Sequence, residues 1–310
     1  MTDPVFSLLH RTQAVFDAKE LIAATSTLLQ ELVNYSTGVY KRCQHAGNTS
    51  DEDLPSFILL LHILEMTDGI EVLLSQSCCE SAVPLIRSSF EAFISLQYLF
   101  QEQEKDYRRR CLCWLYCDHL ERKRAEKQLD RESGQGKQLA QALNAEQPNI
   151  HLPTLSPEQL KHIRSPRKDP RFVPIIKEYE RLKKEERIGR PPWYRMYKGP
   201  GDLQQLARKV KMENLYLTFY RDWSAVAHGG SSRRYIERRS NGTLVQHQLR
   251  FPENLVRHAS WAGKFILTAT DSMIRKFRLS ERNHFKWSAD IAKRLQEMSD
   301  IEVVIKTVRL

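Results

Sequence analysis

"PLIRSSFEAFISLQYLF", residues 84–100, sets two charged side chains into a run that is otherwise largely apolar. The apolar positions recur at helical period rather than alternating, so the stretch reads as a helix. Arg87 and Glu91 stand four apart and share one face of it. An isolated charge in such a helix would be very costly to bury, so the two must pair with each other or line a cavity. Either a packing pair or a site that contacts a phosphate satisfies that demand.

The same periodicity extends in both directions and predicts an all-α chain. A helix is expected over 81–103, with Pro84 in its first turn, where a missing N–H is tolerated. Before it lies a buried helix over 54–76. Its most apolar piece, "FILLLHIL" at 57–64, is interrupted by His62 and then Glu65, well short of the ~20 apolar residues of a membrane span. A first amphipathic segment covers 12–45 and ends in the turn formers "AGNTSDED". A fourth helix, 104–131, becomes strongly charged at "ERKRAEKQLDRES" before a flexible "GQG".

From 147 to 201 prolines at 148, 153, 157, 166, 170, 174, 191, 192 and 200 divide the chain, although "PIIKEYERLKKEER" still reads as helical. The segment has too few apolar residues for a core of its own, so a single helical domain over 1–310 carrying a basic arm is expected. Helices resume with "GDLQQLARKV" and "MENLYLTFYRDWSAVAH". Then "RYIERRSNGTLVQHQLRF", within 233–251, alternates polar and apolar residues around Asn-Gly and predicts a β-hairpin. Further helices are expected over 253–276 and 287–298, and the last ten residues read as a strand or a loose tail.

The 310 residues carry a net charge of +10, and 161–211 alone holds 16 Lys or Arg against 6 Asp or Glu. A polyanion such as RNA fits this bias, as does a merely solvated basic surface. Arg190, Arg195 and Lys198 in the arm, with Arg233 and Arg234 beyond it, are the candidate phosphate contacts. Trp193, Tyr194 and Tyr197 would either stack on bases or anchor the arm. Six cysteines, at 43, 78, 79, 111, 113 and 117, sit mostly in helical sequence without a preceding leader. They imply reduced thiols and a cytoplasmic protein. "CLCWLYCDH" at 111–119 lacks a second pair at finger spacing, and residues 111 and 113 point apart on a helix, so neither metal nor cofactor is expected. Nucleotide-binding glycine loops, H-E-x-x-H and G-x-S-x-G are absent.

The chemistry-bearing stretch is "YLTFYRDWSAVAHGGS", 216–231. Tyr220, Ser224 and His228 are spaced four and four, and Arg221 lies seven before His228, about 20° away around a helix and about 10 Å along it. His228 could simply cap the helix end, with Gly229 or Gly230 in the left-handed turn. That accounts for the stop but not for the residues in register beneath it.

Arg221, Asp222 and His228 form R-D-x5-H, which resembles the R-x4-6-H signature of the HEPN superfamily of helical bundles. The resemblance implies a metal-independent endoribonuclease acting as a homodimer in a bacterial stress or phage-defence system, with a regulatory partner protein. Other members are silent nucleic-acid- or partner-binding modules. In the active reading His228 takes the proton from the ribose 2′-OH, Arg221 holds the phosphate oxygens and Asp222 orients Arg221. Arg278 and His284 match the spacing too, in "RLSERNH", which reads as a helix end and a chance hit. Arg87, Ser88 and Glu91 with Tyr220, Ser224 and His228 also resemble a widespread bacterial family of unknown function sharing R-S-x-x-E and Y-x3-S-x3-H helices. That likeness implies that the two helices meet, with Arg87, Glu91, Tyr220 and Ser224 forming a supporting pocket around His228. A sensor cavity for a nucleotide or small anion is the third reading of the same residues.

Overall fold

The structure, a computed structural model, describes residues 11–47, 49–101, 104–129, 134–146, 169–229, 236–238, 242, 244–246, 249–280 and 283–299. The chain divides into two compact units, Met1–Gln101 with Leu203–Leu310, and Glu102–Asp202.

The first unit is helical. Helices α1 (Arg11–Asp17) and α2 (Lys19–Gln44) are separate, since the expected 12–45 segment breaks at Ala18. Helix α3 (Leu54–Ser75) packs along α4 (Cys79–Phe100). Fully buried Leu60 and Ile63 on α3, and Ile86, Phe90 and Ile94 on α4, belong to the core, which is the apolar run read from the sequence. Pro84 lies not in the first turn but inside α4, which begins at Cys79. It is exposed, so the carbonyl that loses its amide partner is on the side open to water.

In the second half of this unit come α8 (Leu203–Lys209), α9 (Glu213–Leu215), a π-helical stretch Tyr216–Tyr220 and α10 (Arg221–Ala227). The strands β1 (Ile236–Arg238) and β2 (Leu244–Gln246) follow, paired antiparallel with Ile236 opposite Gln246. Helix α11 (Leu255–Phe277) packs on α2, α3, α4 and α12 (His284–Ser299). Close approach of α11 to α12 depends on Gly263, where a Cβ would meet Leu295 Cδ2 at 2.5 Å. His284 is buried between the Tyr35 hydroxyl at 2.7 Å and Asp271 at 2.6 Å, whereas Arg278 closes α11 in a left-handed turn. Their shared spacing is coincidental: one locks a helix junction and the other ends a helix.

The second unit has a buried cluster of its own, to which the arm contributes. It contains α5 (Glu104–Leu129), α6 (Gly134–Glu146) and α7 (Val173–Glu185). The "GQG" expected to be flexible forms the start of α6. Cys113 and Tyr116 from α5 cluster with Phe172, Ile175, Tyr179, Leu182 and Met196. The arm taken alone supplies only part of this core, which is why composition over 147–201 understated it. Residues 147–168 of the arm and the final 301–310 lie outside the described residues.

Candidate functional site

Helix α4 presents Arg87 and Glu91 one turn apart, and α10 packs against it. The phenol of Tyr220 enters between them. Arg87 Nε donates to Glu91 Oε1 at 3.0 Å and to the Tyr220 hydroxyl oxygen at 3.2 Å. The Tyr220 hydroxyl in turn donates to Glu91 Oε1 at 2.8 Å. The guanidinium also stands 5.2 Å from the centre of the Tyr220 ring, within cation–π range. Phe90 on α4 packs against Tyr220 and Trp223, and Tyr216 stacks on Tyr220 at 4.6 Å. These contacts fix the phenol.

At the outer end, Arg87 Nη1 lies 3.3 Å from His228 Nε2. A guanidinium has no lone pair to offer, so Arg87 can only donate, and the contact is a hydrogen bond when Nε2 is the acceptor. His228 ends α10: its amide bonds the Ser224 carbonyl, and Gly229 takes φ +69 to close the turn. The helix stops for the reason the glycine suggested, and the imidazole is left exposed at the rim of the cluster. Gly230 lies outside the described residues.

Burial works against the Arg87 charge, yet the Tyr220 hydrogen bond and the Glu91 carboxylate outweigh it, and its pKa is raised. Burial, followed by the Glu91 carboxylate, pushes the Tyr220 hydroxyl up to about 12. Tyr220 therefore remains a neutral donor at ordinary pH. The result is a fixed cation with one edge turned to an exposed imidazole.

Four of the expected residues, Arg87, Glu91, Tyr220 and His228, are thus brought into one hydrogen-bonded cluster. Among the described residues the Ser224 hydroxyl is not part of it; Ser224 is half-buried and contributes its carbonyl to the helix end. Arg221 and Asp222 are exposed at the start of α10 and make no hydrogen bond to the cluster. Ser88 turns to α3, where its hydroxyl is 2.8 Å from His62 Nε2. In the sequence His62 only interrupts an apolar run, and a separation of 26 residues from Ser88 gives no cue to this contact.

The basic candidates behave differently from one another. Arg195 is held by Glu186 at 2.9 Å and by the Gly201 carbonyl at 3.3 Å, so it braces its own unit rather than waiting for a phosphate. Arg190 and Lys198 are exposed. Arg233 and Arg234 lie outside the described residues. Trp193 and Tyr197 pack onto the Cys113–Tyr179 cluster, and Arg109 sits 4.8 Å over the Tyr197 ring; these aromatics are anchors. Cys111 and Cys113 are buried thiols, and burial pushes the Cys117 thiol up to about 12. Among the described residues no group of three His, Cys, Asp or Glu side chains is arranged to hold a metal ion, and no helix is long and apolar enough to cross a membrane.

Both halves of the cluster fall inside residues 53–243, which match a family of unknown function, DUF5677. The chain belongs to that family. No curated protein and no solved structure matches it. Within this DUF5677 chain, the cluster joins α4 by charge and hydrogen bond to Tyr220 and His228, the residues that flank α10.

Proposed function

We propose that the Arg87–His228 cluster is the working centre of a HEPN-like, metal-independent endoribonuclease. The observation that carries the reading is the 3.3 Å contact between Arg87 Nη1 and Nε2 of an exposed histidine. A phosphodiester entering at the rim would take the guanidinium edge through its non-bridging oxygens. That would release the Nε2 lone pair. His228 Nε2 then removes the 2′-OH proton, the 2′-oxygen bonds to phosphorus, and the 5′-oxygen leaves with a proton, producing a 2′,3′-cyclic phosphate. Arg87, held by Glu91 and Tyr220, stabilises the charge that develops on the phosphoryl oxygens. Arg221 and Asp222 border the same helix and would contact the strand further along. In a homodimer the partner subunit's His228 would protonate the leaving oxygen. A bacterial stress or phage-defence setting is part of this proposal, with RNA as substrate and a partner protein as regulator.

The experiment is incubation of purified protein with total RNA in EDTA. Wild type should leave 2′,3′-cyclic ends, His228→Ala should abolish cleavage and Arg221→Ala should weaken it, each keeping the helical circular dichroism. Cleavage undiminished by His228→Ala would end the reading. A silent module that binds nucleic acid or a partner protein is the second reading, favoured by how fully Arg87 is engaged by Glu91 and Tyr220. In that case RNA stays intact and only binding responds to the His228 substitution.

A further inference from the structure

A second basic site lies within the first unit, built from three helix ends. Gln97, Phe100 and Gln101 from the end of α4 meet Lys209, Val210 and Lys211 after α8, and Ser272, Arg275 and Lys276 from the end of α11. They line a cleft of about 430 Å³, a size suited to a small organic ligand. Four of the nine lining residues are cations and none is a carboxylate.

Cations at helix C-termini are commonly there to meet the last carbonyls. Here several of those carbonyls on α8 and α11 have other partners. The Lys211 and Met212 amides close α8 onto the Arg208 and Ala207 carbonyls at 3.1 and 2.8 Å. Gln101 Nε2 takes the Lys209 carbonyl at 2.6 Å. The Arg278 and Leu279 amides close α11 onto the Arg275 and Ile274 carbonyls. These cations are thus not needed as hydrogen-bond caps for the Arg208, Lys209 and Arg275 carbonyls.

The backbone fixes where one of these cations stands. Lys211 stands at φ +62, a left-handed position closing a helix, where glycine fits at no steric cost. Lys211 adopts this turn at the edge of the cleft at a steric cost glycine would not carry, as Arg278 does at the end of α11. Gln97 and Ser272, which also line the cleft, hydrogen-bond to each other at 3.0 Å.

We infer that this cleft binds a small organic polyphosphate, of the nucleoside di- or triphosphate class. Its phosphates would lie among Lys209, Lys211, Arg275 and Lys276, and its ring against Phe100. The site is separate from the Arg87–His228 cluster, and its test reads binding rather than RNA cleavage. The full-length protein is titrated with ATP, pyrophosphate, adenosine and a short RNA, followed by calorimetry and by melting temperature. ATP and pyrophosphate should bind and raise the Tm, and adenosine should not. Lys211→Gly relieves the left-handed strain, so it should hold or raise the Tm of the free protein while weakening ATP at least tenfold. Arg275→Gln should weaken ATP similarly. The inference is overturned if neither ATP nor pyrophosphate binds at millimolar concentration, or if Lys211→Gly and Arg275→Gln bind ATP as wild type does. It is equally overturned if these substitutions weaken only the RNA.

Discussion

Replacing Glu91 by alanine tests the cluster directly, because one oxygen, Oε1, accepts from both Arg87 Nε and the Tyr220 hydroxyl. The substitution leaves a cation whose side chain is 23% exposed with its carboxylate partner gone, and a phenol without its acceptor. Hydrogen bonds to charged groups contribute about 1.5–3 kcal/mol each. With the Glu91 side chain 39% exposed, water recovers part of the loss and the lower end of the range applies. The net cost is then about 2–3 kcal/mol. For a chain of this size that corresponds to a Tm lower by roughly 4–10 °C. Thermal unfolding followed by far-ultraviolet circular dichroism measures it. Glu91→Gln, which keeps an acceptor but not the charge, should fall between wild type and alanine. A double-mutant cycle with Tyr220→Phe should show coupling of about 0.5 kcal/mol or more. If Glu91→Ala melts within 1 °C of wild type (roughly the scale of a 0.3–0.5 kcal/mol change), the pair does not organise the α4–α10 contact.

Three further outcomes follow from the geometry. Tyr220 ionises near pH 12 when folded, above the ordinary tyrosine value of about 10. Its contribution to stability is therefore complete below about pH 10 and lost as pH rises towards 12, because only the unfolded phenol gives up its proton in that window. Tyr220→Phe should remove that part of the alkaline destabilisation, and a slope unchanged by the substitution would contradict the assigned hydrogen bonds. Gly263→Ala should lower the Tm, since overpacking costs about 1–3 kcal/mol against a helix-propensity gain of about 1 kcal/mol. Leu295→Ala should cost less in the Gly263→Ala background than in wild type, and full additivity would show that the helices have room. Cys113, buried and with its thiol pushed well above the usual range by that burial, should react with a thiol reagent only as the protein unfolds; rapid native labelling at pH 8 would refute its place in the second core.

The sequence by itself determined the helical class and the need for Arg87 and Glu91 to find partners. Both are local matters: apolar period selects the helix, and the cost of an unpaired charge acts wherever the helix goes. It also located the stop after His228, because Gly229 can take a positive φ that other residues resist. Tertiary structure alone decided what met what. That Tyr220 and His228 reach Arg87 across more than 130 residues, while Ser224, Arg221 and Asp222 do not join them, depends on how α10 packs against Phe90 through Trp223. The second core was hidden for a similar reason: its apolar residues come from two stretches, around Cys113 and around Ile175, and neither is rich enough to announce a core until they pack together. The cleft below Lys211 was invisible because three helix ends, each ordinary in sequence, accumulate their charges only when they converge.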